Sequence, residues 1–166
     1  RRQKPGGLTN DVVFAELDHT DRTMSDTIAT LLRESYAVEA ELIGARDFPP
    51  LRRAAEDIRE SQSTFIGCSS KNRLLAVAEL EHEDERFTNI AGFVVHPACF
   101  RRGIGSRLLK HVLGLVGPPT VTVSTAAANV PAVSLYENHG FSIVKHWSFE
   151  DLEMVTLARS LSGNMC

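Results

Sequence analysis

Phe93-Val94-Val95-His96-Pro97-Ala98-Cys99-Phe100-Arg101-Arg102-Gly103-Ile104-Gly105-Ser106-Arg107-Leu108-Leu109 reads as a buried strand, a short basic glycine loop and the opening of an amphipathic helix. Ahead of Pro97, the residues Phe93, Val94 and Val95 form a β-favouring run. Beyond Gly105 the apolar residues fall at Leu108, Leu109, Val112, Leu113 and Val116, with Ile104 on the same face. That spacing is one helical stripe. Gly103 and Gly105 bare the backbone where the helix begins, so successive N–H groups can converge on an anion. The helix macrodipole favours negative charge at the same place. Arg101 and Arg102 add cationic donors beside it, and the layout suits a pyrophosphate.

Two other phosphate loops are excluded. A dinucleotide fingerprint needs a third glycine where Leu108 stands, and a P-loop needs Gly-Lys-Ser/Thr, which this stretch lacks. On the glycines alone, a tight strand-to-helix turn with incidental arginines is an equal reading.

Outward from this stretch the pattern is regular. Val12–Leu17 reads as a first strand, and Asp21 to Ala40 carries Ile28, Leu31, Leu32, Ser35 and Tyr36 on one helical face. Pro49-Pro50 opens a short second helix with Leu51, Ala54, Ala55 and Ile58 on its stripe. Thr64–Cys68 is a strand, Lys71-Asn72 a turn, and Leu74–Glu81 its partner. A turn at Asp84-Glu85 precedes a strand from Phe87 to Val95. After the glycine-loop helix come a strand at Val121–Val123 and a short helix. Asn129 stands at that helix's cap, Pro131 in its first turn and Gly140 at its end. Strands at Ser142–Phe149 and Glu153–Ala158 close the chain.

Phe100-Arg101-Arg102-Gly103-Ile104-Gly105 resembles the pyrophosphate loop of the GNAT N-acetyltransferase superfamily, Gln/Arg-x-x-Gly-x-Gly/Ala, with Phe100 departing at the first position. Downstream, Asn129-Val130-Pro131-Ala132-Val133-Ser134-Leu135-Tyr136-Glu137-Asn138-His139-Gly140-Phe141 resembles the family's Asn-x-x-Ala-x-x-Leu-Tyr-x-x-x-Gly-Phe. The resemblance is close from about residue 63 to 150 and rests on element order before that. It implies an α/β (α+β) GNAT fold: a mixed, mostly antiparallel twisted sheet of about seven strands, flanked by about four helices. One domain over residues 11–166 is expected, after a loose arm at 1–10.

The resemblance also implies a chemistry. Acetyl-coenzyme A would lie where the fourth and fifth strands splay, as cosubstrate of transfer to a primary amine of a small molecule or a protein. Phe93, Val94 and Val95 would bind pantetheine through the backbone. Arg101, Arg102, Gly103, Ile104, Gly105 and Ser106 would cradle the diphosphate, and Asn129 would touch the pantetheine arm. An N–H near Val94 would polarise the thioester carbonyl. Tyr136 is the candidate proton donor to the departing thiolate; packing against the coenzyme is the other reading. The family's strand carboxylate position holds Asn89, which cannot be a base. Glu79, Glu81 and His82 lie nearby, with Glu81 the candidate, while a solvated strand edge explains Glu81 to Glu85 equally. On the acceptor side, Glu39 and Glu41 could attract a cationic amine, and Tyr36 and Phe48 offer apolar or cation–π surface. A solvated helix end followed by a proline-fixed loop carries equal weight there. A non-catalytic acyl-coenzyme A-binding or sensing module is the alternative to an enzyme.

Composition sets the remaining bounds. With 166 residues and a net charge of −3, the chain suits one domain and lacks the basic excess of a nucleic-acid binder. No apolar run approaches a membrane span, and no secretory start is evident. Cys68, Cys99 and Cys166 are odd in number and widely spaced, which points to a reducing, cytoplasmic setting without disulfides. The six histidines lack metal-ligand spacing, so no metal is expected. Many members of the family it resembles dimerise, so a homodimer is one state the resemblance allows, though no feature of this chain specifies it.

Overall fold

Alternation and helical periodicity build the elements in the computed structural model, which describes residues 11–116 and 120–160. The arm at residues 1–10 and Cys166 lie outside the described residues. The strands are β1 (Val13–Leu17), β2 (Thr64–Ser70), β3 (Arg73–Asp84), β4 (Phe87–Val95), β5 (Thr120–Ala126), β6 (Ser142–Phe149) and β7 (Leu152–Ser160). The α-helices are α1 (Arg22–Ile43), α2 (Ala55–Glu60), α3 (Ile104–Leu115) and α4 (Val130–Glu137). They flank a seven-stranded sheet in the order β1-β2-β3-β4-β5-β7-β6. Only β4 and β5 pair in parallel; the other neighbours are antiparallel.

Local chemistry sets the ends. Asp21 caps α1, its carboxylate accepting from Met24 N–H at 2.9 Å, and Gly44 ends the helix in the left-handed region at φ 69°. The helix runs one turn past Ala40, where the core stripe stops, because a second face of α1 also has a neighbour, the cavity described below. Lys71 and Asn72 both take positive φ, 50° and 63°, the geometry of a two-residue hairpin. The expected second helix is instead broken. Pro49–Arg52 is a 3₁₀ turn, Arg53 and Ala54 are extended, and α2 starts at Ala55. The break frees Arg53 to reach an acid on β3, which a continuous helix would have pointed elsewhere.

Two cores result. On one face, Ile104, Leu108, Leu109 and Val112 of α3 pack with Cys68, Leu75, Leu80, Ile90, Val121, Val123 and Leu157. On the other, Ile28, Leu31 and Leu32 of α1 and Ile58 of α2 cover Phe65, Leu74, Val77 and Val94. The central strands are thus clamped on both sides, and the one weak seam lies between β4 and β5.

Candidate active site

That seam opens for a reason of register. β4 and β5 pair only from Phe87↔Thr120 to Ile90↔Val123. On its other side β4 carries a bulge: Leu80 faces Ile90, but Glu79 faces Gly92, so Ala91 is the extra residue. A bulge bends and twists its strand, and beyond it β4 leaves β5, which continues to Ala126 against β7. A cavity of about 550 Å³ fills the gap. Phe93, Val94 and Val95 line it along the stretch of β4 that has no β5 partner.

The glycine loop closes part of this cavity. Gly103 stands at the cap of α3 with φ 77°, and no side chain caps the helix. The first bond of the helix runs from Arg107 N–H to Gly103 O at 3.1 Å. The N–H groups of Ile104, Gly105 and Ser106 therefore have no intrahelical acceptor, and all three residues line the cavity with Arg101 and Gly103. A Cβ at Gly105 would stand 3.4 Å from Val95 and 3.6 Å from Leu135, both cavity residues. The hydroxyl of Ser106 meets His139 Nε2 at 3.0 Å, and His139 Nδ1 meets Leu135 O at 2.8 Å. Arg102 is exposed and outside the lining.

Tyr136 of α4 lines the same space while only 4% exposed. Its ring sits edge-on to Phe93, 6.1 Å between centroids, and 5.7 Å from Phe141. No hydrogen bond to its hydroxyl is formed among the described residues. Burial, reinforced by the Glu39 and Tyr36 charges, holds the phenol well above its ordinary pKa. Asn129 caps α4 by accepting from Ala132 N–H at 3.3 Å, and its Nδ2 donates to Glu39 Oε1 at 3.1 Å. Among the described residues, Glu39 is the only carboxylate in the lining. Burial raises its pKa, and the Asn129 bond partly opposes that.

The α1 wall was not anticipated as a whole. Ser35, Val38, Glu39 and Leu42 line the cavity together, and Ser35 Oγ donates to Val95 O at 3.1 Å. Their spacing of i, i+3, i+4 and i+7 is one helical face, offset from the core stripe. His139 sits within the second motif but carried no signal of contact with Ser106.

The remaining candidates lie outside the cavity lining. Tyr36 and Phe48 pack edge-to-face at 5.7 Å, and Tyr36 Oη stands 3.3 Å from where a Gly92 Cβ would be. Glu41 is exposed. Glu81 is exposed and accepts from Asn89 Nδ2 at 3.3 Å, while Asn89 Oδ1 accepts from Thr122 at 3.0 Å. Glu79, by contrast, is buried and held by both arms of Arg53, Nη1 to Oε1 and Nη2 to Oε2, the latter at 3.1 Å. That pair pins the extended Arg53 segment to β3 beside Gly92. Arg53→Met would strand the Glu79 charge, and a lower urea midpoint, corresponding to a loss of about 3 kcal/mol of unfolding free energy, is expected. An unchanged midpoint would show that the pair contributes nothing to the fold.

Among the described residues no group of three metal-ligating side chains lies together, and no helix is long and apolar enough to cross a membrane. Comparison with known proteins agrees with the geometry. Residues 26–141 match the family model described as Acetyltransferase (GNAT) family. The chain is 35% identical over 126 residues to the UPF0157 protein YqkA of Bacillus subtilis (strain 168), covering 75% of this chain and 36% of that protein. It therefore spans about a third of the length of that curated relative. Its fold is similar to the PaiA N-acetyltransferase from Thermoplasma acidophilum in complex with coenzyme A, with TM-score 0.74, 16% identity, and 90% and 99% of the two chains covered. It is also similar to the ribosomal-protein-S18-alanine N-acetyltransferase from Escherichia coli, with TM-score 0.71, 16% identity, and 93% and 98% covered. The parallel pair that parts at a bulge, the uncapped glycine-loop helix and the matched family model all lead to one assignment: the chain belongs to the acetyltransferase (GNAT) family.

Proposed function

We propose that the chain transfers an acetyl group from acetyl-coenzyme A to a primary amine, of a small molecule or a protein, by direct attack with both substrates bound, in the cytoplasm and without a metal. The observation that carries this reading is one cavity shared by the uncapped amides of Ile104, Gly105 and Ser106 and by Tyr136. Bare amides at a helix N-terminus, with Arg101 beside them, suit a diphosphate. The β4 edge at Phe93–Val95 suits the amides of a pantetheine arm, and Asn129 adds a side-chain contact. The coenzyme supplies the activated acetyl group.

The chain's own residues handle two protons. The attacking nitrogen forms the new C–N bond as the C–S bond breaks, and the Tyr136 hydroxyl gives its proton to the departing sulfur. A lysine-like amine, with pKa ~10.4, is neutral in only about one molecule in 2,500 at pH 7, so its proton must be taken up as well. Glu81 is the proposed acceptor of that proton, reached through water from its exposed place on β3. Tyr36, Glu39, Glu41 and Phe48 are the proposed acceptor-side residues, with the two acids favouring a cationic amine.

A non-catalytic acyl-coenzyme A-binding module is the second reading. It is favoured by Asn89, whose amide is engaged on both sides and cannot act as a base. Release of free thiol from acetyl-coenzyme A, measured across a panel of amines, separates the two. Amine-dependent release is expected. Tight coenzyme binding with no release by any amine would establish the second reading.

A further inference from the structure

Ser106 and His139 form a polar pair at the glycine-loop cradle, and the family match assigns it no role. The Leu135 carbonyl can only accept, so His139 Nδ1 carries a proton and donates to it across 2.8 Å. In the neutral ring Nε2 is then a bare lone pair. Ser106 Oγ, 3.0 Å away, must spend its single proton on that nitrogen. Its lone pairs then face the cavity that Ser106 lines, and they repel an anion. Protonation at Nε2 reverses the chain: the ring donates to Oγ, and the hydroxyl proton turns free.

We infer that His139 is a positioning residue for the diphosphate: it binds a proton together with the coenzyme, and only then does Ser106 become a phosphate donor. The inference rests on the coenzyme reading given above. The cationic ring never touches the ligand. Its charge reaches the diphosphate through one hydroxyl, as a pair of charge-assisted hydrogen bonds. Charged side chains also lie on the elements around the pair. Arg159 of β7 lies beside Gly140, its Nε 3.2 Å from where a Cβ there would stand. Lys110 follows Ser106 by one turn of α3, Arg102 lies in the loop ahead of that helix, and Glu137 lies on α4. An arriving dianion stabilises the protonated ring through the Ser106 hydroxyl, so proton and ligand bind together. Linkage is reciprocal: if the ligand raises proton affinity, protons raise ligand affinity.

The test is calorimetry of the whole chain with coenzyme A and with 3′-dephospho-coenzyme A. The second ligand lacks the phosphomonoester, a group that itself titrates near pH ~6. Titrations between about pH 6 and 8, where imidazoles change charge, in buffers of differing ionisation enthalpy, give the proton count directly. For the dephospho ligand, affinity is expected to weaken about three- to tenfold from pH 6 to 8, with uptake of up to one proton per ligand bound. Ser106→Ala and His139→Ala should each abolish the uptake and flatten the profile. Ser106→Ala removes only a hydroxyl, so it remains readable should His139→Ala loosen α4. A flat wild-type profile with no proton uptake, or a slope that survives in Ser106→Ala, overturns the inference and leaves the coenzyme reading standing. No association of the wild type with either ligand overturns both.

Discussion

Tyr136→Phe is expected to lower kcat by about 10²–10⁴-fold while the dissociation constant of acetyl-coenzyme A stays within about twofold. The separation follows from what the substitution removes. The ring stays, with its contacts to Phe93 and Phe141. The lost hydroxyl bonds to nothing among the described residues, so no partner is stranded. Fold and binding should therefore hold, and only a proton transfer can suffer. Burial raises the phenol's pKa, so the donor stays loaded across the neutral range and its own ionisation cannot set an alkaline limit below pH ~10. Stability obeys the same shift. The unfolded tyrosine loses its proton first, so above about pH 10 the unfolded state binds fewer protons and the fold weakens as pH rises. In Tyr136→Phe that alkaline loss should be smaller. Steady-state kinetics with a saturating amine, together with binding calorimetry, decide the matter. Undiminished turnover would reduce Tyr136 to a packing residue.

How much of this was legible depended on the range of the interaction. The α3 stripe and β4 were readable because periodicity is local: Ile104, Leu108, Leu109 and Val112 are all buried, and the strand ends where Pro97 requires. The uncapped start of α3 was readable for the same reason, since Gly103 and Gly105 mark it locally. The break in the expected second helix was not. It goes with the Arg53–Glu79 pair, formed with a strand 26 residues later, and propensity gives no hint of that pair. The bulge at Ala91, which opens the cleft, arises from a mismatch between two strands and is absent from either alone. Glu39 and Asn129 carry separate roles in the sequence, yet they bond to each other across 90 positions. One missed signal was present. Val38 and Leu42 are half-exposed apolar residues in line with Glu39, a second stripe on α1 that the core does not use. A helix with two apolar faces needs a second neighbour, and here that neighbour is the cavity.

The two loop glycines should respond to substitution in opposite ways, which separates backbone conformation from space. At Gly103 nothing lies within 4 Å of a new Cβ, yet φ is 77°, in the region L side chains avoid. Gly103→Ala should cost about 1 kcal/mol of stability by strain alone. Gly105 lies inside α3 with ordinary helical geometry, and its Cβ would make normal contacts at 3.4 Å or more with Val95, Leu135 and Phe93. Gly105→Ala should therefore be neutral, or stabilising by up to about 0.5–1 kcal/mol through helix propensity. A longer side chain has no room left but the cavity, because those three contacts are themselves cavity residues. Gly105→Leu is expected to keep an unfolding midpoint close to that of Gly105→Ala and to weaken coenzyme A binding at least 100-fold. The comparison matters because loss of binding could otherwise be blamed on misfolding. A Gly105→Leu variant that folds normally and still binds coenzyme A at wild-type affinity would mean that the diphosphate does not sit against the first turn of α3. The shared cavity would then have no claim to be the site of transfer.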